Sequence, residues 1–215
     1  MHALMVFVFI AQAPAPESPC RDLLLKAFPK IDADGSGTLS IDEIEKALAN
    51  PEVKGPTAAA ISALRRAVRS KTKPMPAPVT KGAIEKPDPD NAGSKMEGNH
   101  KLALRRIQET PRDLFTGKPP LLSDIHQGRV GDCFCLAPLG GWIHRDSDSV
   151  RALFRQKANK VEVHACGRWI PVEPLTDGEI AMLATSSGGG IWVNYYEKAM
   201  GIARRESEKT ASASP

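Results

Sequence analysis

Residues 32–43 read Asp32-Ala33-Asp34-Gly35-Ser36-Gly37-Thr38-Leu39-Ser40-Ile41-Asp42-Glu43. Calcium is a hard cation that takes six to eight oxygens at about 2.3–2.6 Å, and a twelve-residue loop supplies them from positions 1, 3, 5, 7, 9 and 12. Those positions hold Asp32, Asp34, Ser36, the backbone carbonyl of Thr38, Ser40 (through a water) and Glu43. Gly37 stands at position 6, where the chain must turn sharply through φ > 0. Ile41, apolar and just ahead of the next helix, is the residue expected to pair with a neighbouring strand. Only Asp32, Asp34 and Glu43 bring charge, which suits weak binding in a calcium-rich compartment. The competing reading is an Asp/Gly-rich turn that holds no metal.

A second chemical string is Asp124-Ile125-His126-Gln127-Gly128-Arg129-Val130-Gly131-Asp132-Cys133-Phe134-Cys135. Gly128 and Gly131 mark a loop, and Cys133 opens an apolar stretch that can form a helix. A thiol at a helix N-terminus meets unpaired amides and the positive end of the dipole, both of which favour thiolate, the form that attacks carbonyls. The side-chain amide of Gln127, upstream across the glycine loop, could join the Cys133 backbone N–H as a two-donor oxyanion hole. The competing reading of Cys133 is a buried core cysteine packing as a small hydrophobe.

Both strings resemble known families. Residues 32–43 resemble the calcium loop of the EF-hand, matched at each constrained position. Gln127-Gly128-x-x-Gly131-Asp132-Cys133 with Phe134 resembles the nucleophile motif of calpain-type, papain-like cysteine proteases. Arg112-Asp113-Leu114-Phe115 and Pro119-Pro120-Leu121-Leu122-Ser123-Asp124-Ile125 are similar to that family's approach to the motif. Val161-Glu162-Val163 and Gly167-Arg168-Trp169-Ile170-Pro171-Val172 are similar to its paired strands, and Ile191-Trp192-Val193 with Tyr196-Glu197-Lys198-Ala199-Met200 to its closing helix. The likeness covers about residues 110–203. It implies Cys133 as nucleophile, Gln127 as oxyanion donor, peptide-bond hydrolysis through an acyl-thioester, calcium as cofactor, and a peptide or protein substrate.

A thiol protease also needs a base, usually His oriented by Asn or Asp. In the resembled family both come from a second lobe that follows the Glu-Lys-Ala helix. None of His2, His100, His126, His144 and His164 falls at the family's position. These 215 residues are therefore expected to hydrolyse little by themselves, and a second lobe becomes an expected partner. The alternative is a non-catalytic calcium-binding interaction protein, a relative that keeps the fold without the chemistry. Pro138, Gly140 and Gly141 interrupt the nucleophile helix, at about 3 kcal/mol for an interior proline and about 1 for each glycine, so a kink is expected. A zinc site from Cys133, Cys135, His164 and Cys166 is weakly supported, because one-residue gaps suit tetrahedral ligation poorly. A Cys135–Cys166 disulfide is a minor option in an exported protein.

The elements that must position these residues follow from periodicity. Leu24, Leu25, Phe28 and Ile31 line one helical face, and Ile41, Ile44 and Leu48 another, with Pro29 in the last turn of the helix entering the loop. Thr57–Val68 reads as a third helix with Thr57 as N-cap and Ile61, Leu64 and Val68 on its apolar side. Its polar side carries Arg65, Arg66 and Arg69, continued by Lys71 and Lys73; a solvated face is the reading, with contact to an acidic partner or lipid headgroups as the alternative. No second calcium loop is visible, so the first is expected to be alone or paired between molecules. Residues 70–99, rich in proline, read as an extended tether. Residues 204–215 are polar, with nothing to bury, and read as a disordered tail.

Near the start, Ala3–Ile10 is an apolar run too short to span a bilayer, followed by the small-x-small site Ala11-Gln12-Ala13 and then Pro14-Ala15-Pro16. This predicts a signal peptide cut after residue 13 and a secreted or periplasmic protein without a stable membrane anchor. A buried strand or a misassigned start is the alternative. Over 215 residues, 41% apolar and 25% charged side chains are ordinary for a globular protein, while 17 glycines and 18 prolines leave room for linkers. The net charge of +4, from 29 basic and 25 acidic side chains, is too small and mixed to argue for nucleic acid. The expected architecture is α+β: signal at 1–19, helical calcium-loop module at 20–69, tether at 70–99, calpain-like lobe at 100–203, tail at 204–215.

Overall fold

The computed structural model describes residues 19–212, apart from residues 118, 132, 158, 159 and 187. The expected signal segment lies almost entirely outside the described residues. Among those described, no helix is long and apolar enough to cross a membrane.

Helix α1 (Pro19–Ile31) buries Leu24, Phe28 and Ile31, the i, i+4, i+7 spacing of a single helical face. The loop that follows contains strand β1 (Thr38–Leu39) and leads into α2 (Ile41–Leu48), which buries Ile44 and Leu48. The strand residue is Leu39 rather than Ile41, which opens α2 instead. Helix α3 (Gly55–Val68) has Lys54 at its N-cap position, without a side-chain capping bond, and carries Pro56 in its first turn. Thr57 therefore lies inside the helix and is not its N-cap. Proline is tolerated there because a first-turn N–H has no intrahelical acceptor to lose. Ala58, Ala59, Ala60, Ala63 and Ala67 are all buried, and their small side chains allow neighbouring backbones to come close.

Residues 70–99 are not an extended tether. They form strand β2 (Val79–Thr80), helix α4 (Lys81–Glu85), a single 3-10 turn at Ala92–Lys95 and the start of α5 (Met96–Glu109). Strand β2 pairs antiparallel with β1, Leu39 opposite Val79 and Thr38 opposite Thr80. Met75, Val79, Ile84 and Met96 join Leu24, Phe28, Leu39 and Leu64 in one core. The prolines constrain the backbone, but the apolar side chains between them still carry about 1.5–3 kcal/mol each of burial, enough to fold the segment back. The α3–β2–α4 segment thus supplies the strand partner that β1 requires, from within the same chain.

The second half begins with α5, whose Ala103 and Ile107 pack on Ala58, Ala59 and Ala181. Strand β3 (Ile125–His126) precedes α6 (Cys133–Arg145) and α7 (Ser147–Arg151). Strands β4 (Phe154–Lys157), β5 (Lys160–Ala165) and β6 (Arg168–Val172) form an antiparallel meander with Val161 opposite Val172. The β5–β6 turn is Cys166-Gly167, with φ of 53° and 74°. Two consecutive positive φ angles match the tight hairpin turn that follows the twist of the strands. Helix α8 (Asp177–Met182) leads to β7 (Thr185–Ser186), which pairs with β3. Helix α9 (Trp192–Ser212) closes the sheet. Trp192 is fully buried and packs against Phe115, stacked at 6.1 Å, and Phe154, edge-on at 6.3 Å.

Helix α9 extends through Ser212, so most of the segment expected as a disordered tail continues a helix. Arg168–Glu206 and Arg204–Glu208 ion pairs lie on this extension, the second at the i, i+4 spacing that supports helix in water. Helix α6 likewise runs unbroken through Pro138, although that residue offers no N–H to the Phe134 carbonyl. The whole is a mixed α+β architecture with small antiparallel sheets.

The two halves meet at α8. Thr176 caps this helix by accepting from Glu179 N at 3.1 Å, and its hydroxyl donates to the Leu48 carbonyl at the end of α2, 2.6 Å away. Gly55 N donates to Asp177 Oδ2 at 2.7 Å, and Arg112 Nη2 to Asp177 Oδ1 at 3.0 Å. A Cβ on Gly178 would stand 2.6 Å from the Leu48 carbonyl oxygen, so only glycine permits this approach.

Candidate functional site

The loop between α1 and α2 gathers oxygen. One carboxylate oxygen each from Asp32, Asp34 and Glu43 lie within 4.8 Å of one another. Gly35 and Gly37 adopt φ of 69° and 76°, and these left-handed turns fold the loop onto itself. Gly37 N donates to Asp32 Oδ2 at 3.0 Å, and Ser36 N to Asp34 Oδ1 at 2.9 Å. Ser36 Oγ donates to the Thr38 carbonyl at 3.1 Å, which brings these two further oxygens together.

Glu43 has two duties. Its Oε2 accepts from Ser40 N at 2.9 Å and Ser40 Oγ at 2.8 Å, while Ser40 Oγ accepts from Glu43 N at 3.2 Å. This is a capping box at the start of α2. Its Oε1 accepts from Ala33 N at 2.8 Å, tying the loop's last position to its second. Ser40 therefore directs its hydroxyl at Glu43. The Ser40-x-x-Glu43 spacing is the sequence signal for this cap, and it coincides with the last ligand of the metal pattern.

Local hydrogen bonds favour the ionised carboxylates of Asp34 and Glu43. The Ser40 N–H and hydroxyl, with the Ala33 N–H, hold the Glu43 carboxyl below its usual value against the opposing effect of burial. The Ser36 N–H and hydroxyl do the same for Asp34. Asp32 Oδ1 differs: it is buried and has no hydrogen-bond partner among the described residues. A buried carboxylate oxygen without a donor is costly unless a cation compensates it. An all-oxygen donor set suits calcium or magnesium and not the softer transition metals.

Cys133 is exposed and is the first residue of α6. Gln127 is also exposed, in the loop after β3, and lies along the wall of a cavity shared with α3 and α5. This loop leans on the segment after α8: Arg129 N donates to the Met182 carbonyl at 2.7 Å, and a Cβ on Gly128 would meet that same oxygen at 2.4 Å. Among the described residues no hydrogen bond joins Gln127 to Cys133 or any histidine to Cys133. Asp132 lies outside the described residues.

The described histidines are spread apart, and His2 lies outside the described residues. His100 is buried in α5, with Nε2 3.2 Å from the Pro56 carbonyl oxygen. His126 lies in β3 opposite Thr185, His144 is exposed in the last turn of α6, and His164 packs against Trp169. The cysteines do not assemble a zinc site with His164: among the described residues the one cluster able to hold a metal is Asp32, Asp34 and Glu43. No disulfide links the four cysteines: Cys20 and Cys135 are buried, while Cys133 and Cys166 are exposed. Burial, then the charge of Glu97, pushes the Cys20 thiol up to about 12, which makes it inert.

In comparisons with known proteins, no family model, no curated protein and no solved structure matches the chain.

Proposed function

We propose that this protein binds calcium at residues 32–43, through the carboxylates of Asp32, Asp34 and Glu43 with Ser36, the Thr38 carbonyl and a water held by Ser40. The observation that carries the reading is the convergence of three carboxylate oxygens around the buried, unpartnered Oδ1 of Asp32. A bound cation would supply the missing partner and would take Glu43 as the ligand that locks α2 to the loop. The β1–β2 pairing supports reading the unit as an EF-hand joined to a second helix–strand–helix whose residues 70–80 contain no carboxylate. That half would act as structural support, not as a second calcium site.

The unit is read as fused, through α8, to a lobe like the first half of a calpain-type cysteine endopeptidase. In that reading Cys133 is the nucleophile, and a peptide or protein is the substrate. The exposed position of Cys133 at the start of α6 favours it, since backbone amides there are free to stabilise thiolate and a developing oxyanion. The histidine and its orienting amide would come from a second lobe. The competing reading is a calcium-binding interaction protein without catalysis, in a secreted or periplasmic setting.

The test of the calcium reading is thermal unfolding of the full chain with calcium and with chelator. Calcium at about a hundred times Kd adds about 2.7 kcal/mol to stability. Glu43→Gln should abolish that gain, and an equal gain in the variant would refute the site.

A further inference from the structure

A cavity of about 340 Å³ lies between α3, α5 and the loop after β3. Four arginines from three separate segments line it: Arg66 of α3, Arg105 and Arg106 of α5, and Arg129 of the loop. Among the described residues, no aspartate or glutamate lines the cavity. Arg65, Arg69, Arg112, Arg155, Arg168 and Arg204 each form an ion pair with a carboxylate elsewhere, whereas among the described residues none of these four has a carboxylate within ion-pair distance. Arg106 donates from Nη1 to the Ala181 carbonyl at 3.2 Å, which fixes its guanidinium at the cavity wall.

Like charges so placed oppose one another. Burial lowers the guanidinium pKa of Arg106 and of Arg66, and the charge of Arg129 lowers both further; the charge of Glu197 opposes this at Arg106. Folding thus gathers positive charge in a partly desolvated space, an arrangement that costs free energy unless an anion enters.

We propose that this cavity binds a polyvalent oxyanion of the phosphate class, gripped by the guanidinium forks of Arg66, Arg105, Arg106 and Arg129. The planar guanidinium presents paired N–H donors that match phosphate oxygens. A lone carboxylate would cancel one of four charges, while a phosphate monoester brings about −1.5 to −2 at neutral pH and a diphosphate more. Asn99 and Gln127 add amide donors at the wall, and Ala63, Ala103 and Met182 give it an apolar floor. The volume falls within the range of about 300–1,000 Å³ usual for small-molecule sites, so the phosphate could be free or carried on a small organic body.

The experiment is calorimetric titration of the full chain with inorganic phosphate, pyrophosphate and phosphoserine, in chelator and at constant ionic strength, with chloride as control. Saturable one-to-one binding is expected for at least one phosphate probe. Arg105 and Arg129 are exposed, so the double substitution R105Q/R129Q should fold with an unfolding midpoint no lower than the parent's and weaken binding about tenfold or more, as the loss of charge-assisted hydrogen bonds requires. R66K, which keeps charge but loses the fork, should weaken it less. K71Q/K73Q, away from the cavity wall, should leave it unchanged. Tighter binding of pyrophosphate assigns the site to free diphosphate, and tighter binding of phosphoserine to an ester. Absence of saturable binding beyond the chloride control, or equal affinity in the R105Q/R129Q variant, overturns the proposal. Neither result depends on whether calcium binds at residues 32–43.

Discussion

Thr176→Ala should loosen the calcium-loop half from the cysteine-bearing half. Thr176 is 7% exposed, and its side chain makes two hydrogen bonds: it accepts from Glu179 N at the start of α8 and donates to the Leu48 carbonyl at the end of α2. Loss of an N-cap costs about 1 kcal/mol. Loss of the second bond leaves a buried carbonyl without a donor, at about 1–3 kcal/mol. A total near 3 kcal/mol corresponds to a fall in Tm of roughly 6–12 °C for a domain of this size. All three tryptophans, Trp142, Trp169 and Trp192, belong to the second half, so their fluorescence reports on that half alone. In the parent protein, fluorescence and far-UV circular dichroism should unfold together. In Thr176→Ala both should shift down, with the helical signal separating from the tryptophan signal. Thr176→Ser keeps the hydroxyl and should cost less than about 1 kcal/mol. A Thr176→Ala cost below about 1 kcal/mol, or a Thr176→Ser cost just as large, would refute the hydrogen-bonded seam.

At the same seam, Gly178→Ala drives a methyl against the Leu48 carbonyl and should destabilise by about 1–3 kcal/mol in urea unfolding; an unchanged midpoint would contradict the close approach. Alkylation of the native chain followed by peptide mapping should modify Cys133 and Cys166, leaving Cys20 and Cys135 protected, with Cys133 fastest if it is a nucleophile. Equal rates at Cys133 and Cys166 would remove the catalytic reading. The carboxyls of Asp34 and Glu43 have folded values held below their unfolded ones. Their contribution to stability is therefore complete above the unfolded carboxyl range, about pH 4, and is lost as pH falls through the folded values. Melting in chelator should be insensitive to pH above that range and decline below it, with a shallower decline in Glu43→Gln; an identical decline in both would count against the loop carboxylates as its cause.

Helical faces were legible because their apolar residues recur at helical spacing: Leu24, Phe28 and Ile31 in α1, and Ile44 and Leu48 in α2. The stretches around Val161–Val163 and Arg168–Val172, expected as paired strands from the resemblance alone, do pair, and their buried and exposed side chains alternate as in a sheet with one face covered. The loop carboxylates were legible because local spacing alone brings them together. Residues 70–99 were misread because proline frequency masks single apolar anchors. Met75, Val79 and Ile84 each contribute one buried side chain without any periodic run. The α8 seam was illegible for a different reason. Thr176 and Leu48 meet across 128 positions of sequence, and neither residue type signals the other. The arginine cavity is similar: Arg66 was visible as one member of a basic helical face, but only tertiary packing sets it beside Arg106 and Arg129.

Calorimetric titration of the full chain with calcium tests the central claim most directly. One calcium per chain should bind, with affinity lost in Glu43→Gln and much reduced in Asp32→Asn, whose side-chain amide oxygen can still accept from Gly37 N and so preserve the loop. Calcium binding that persists unchanged in both variants, or no binding by the parent protein, would contradict it.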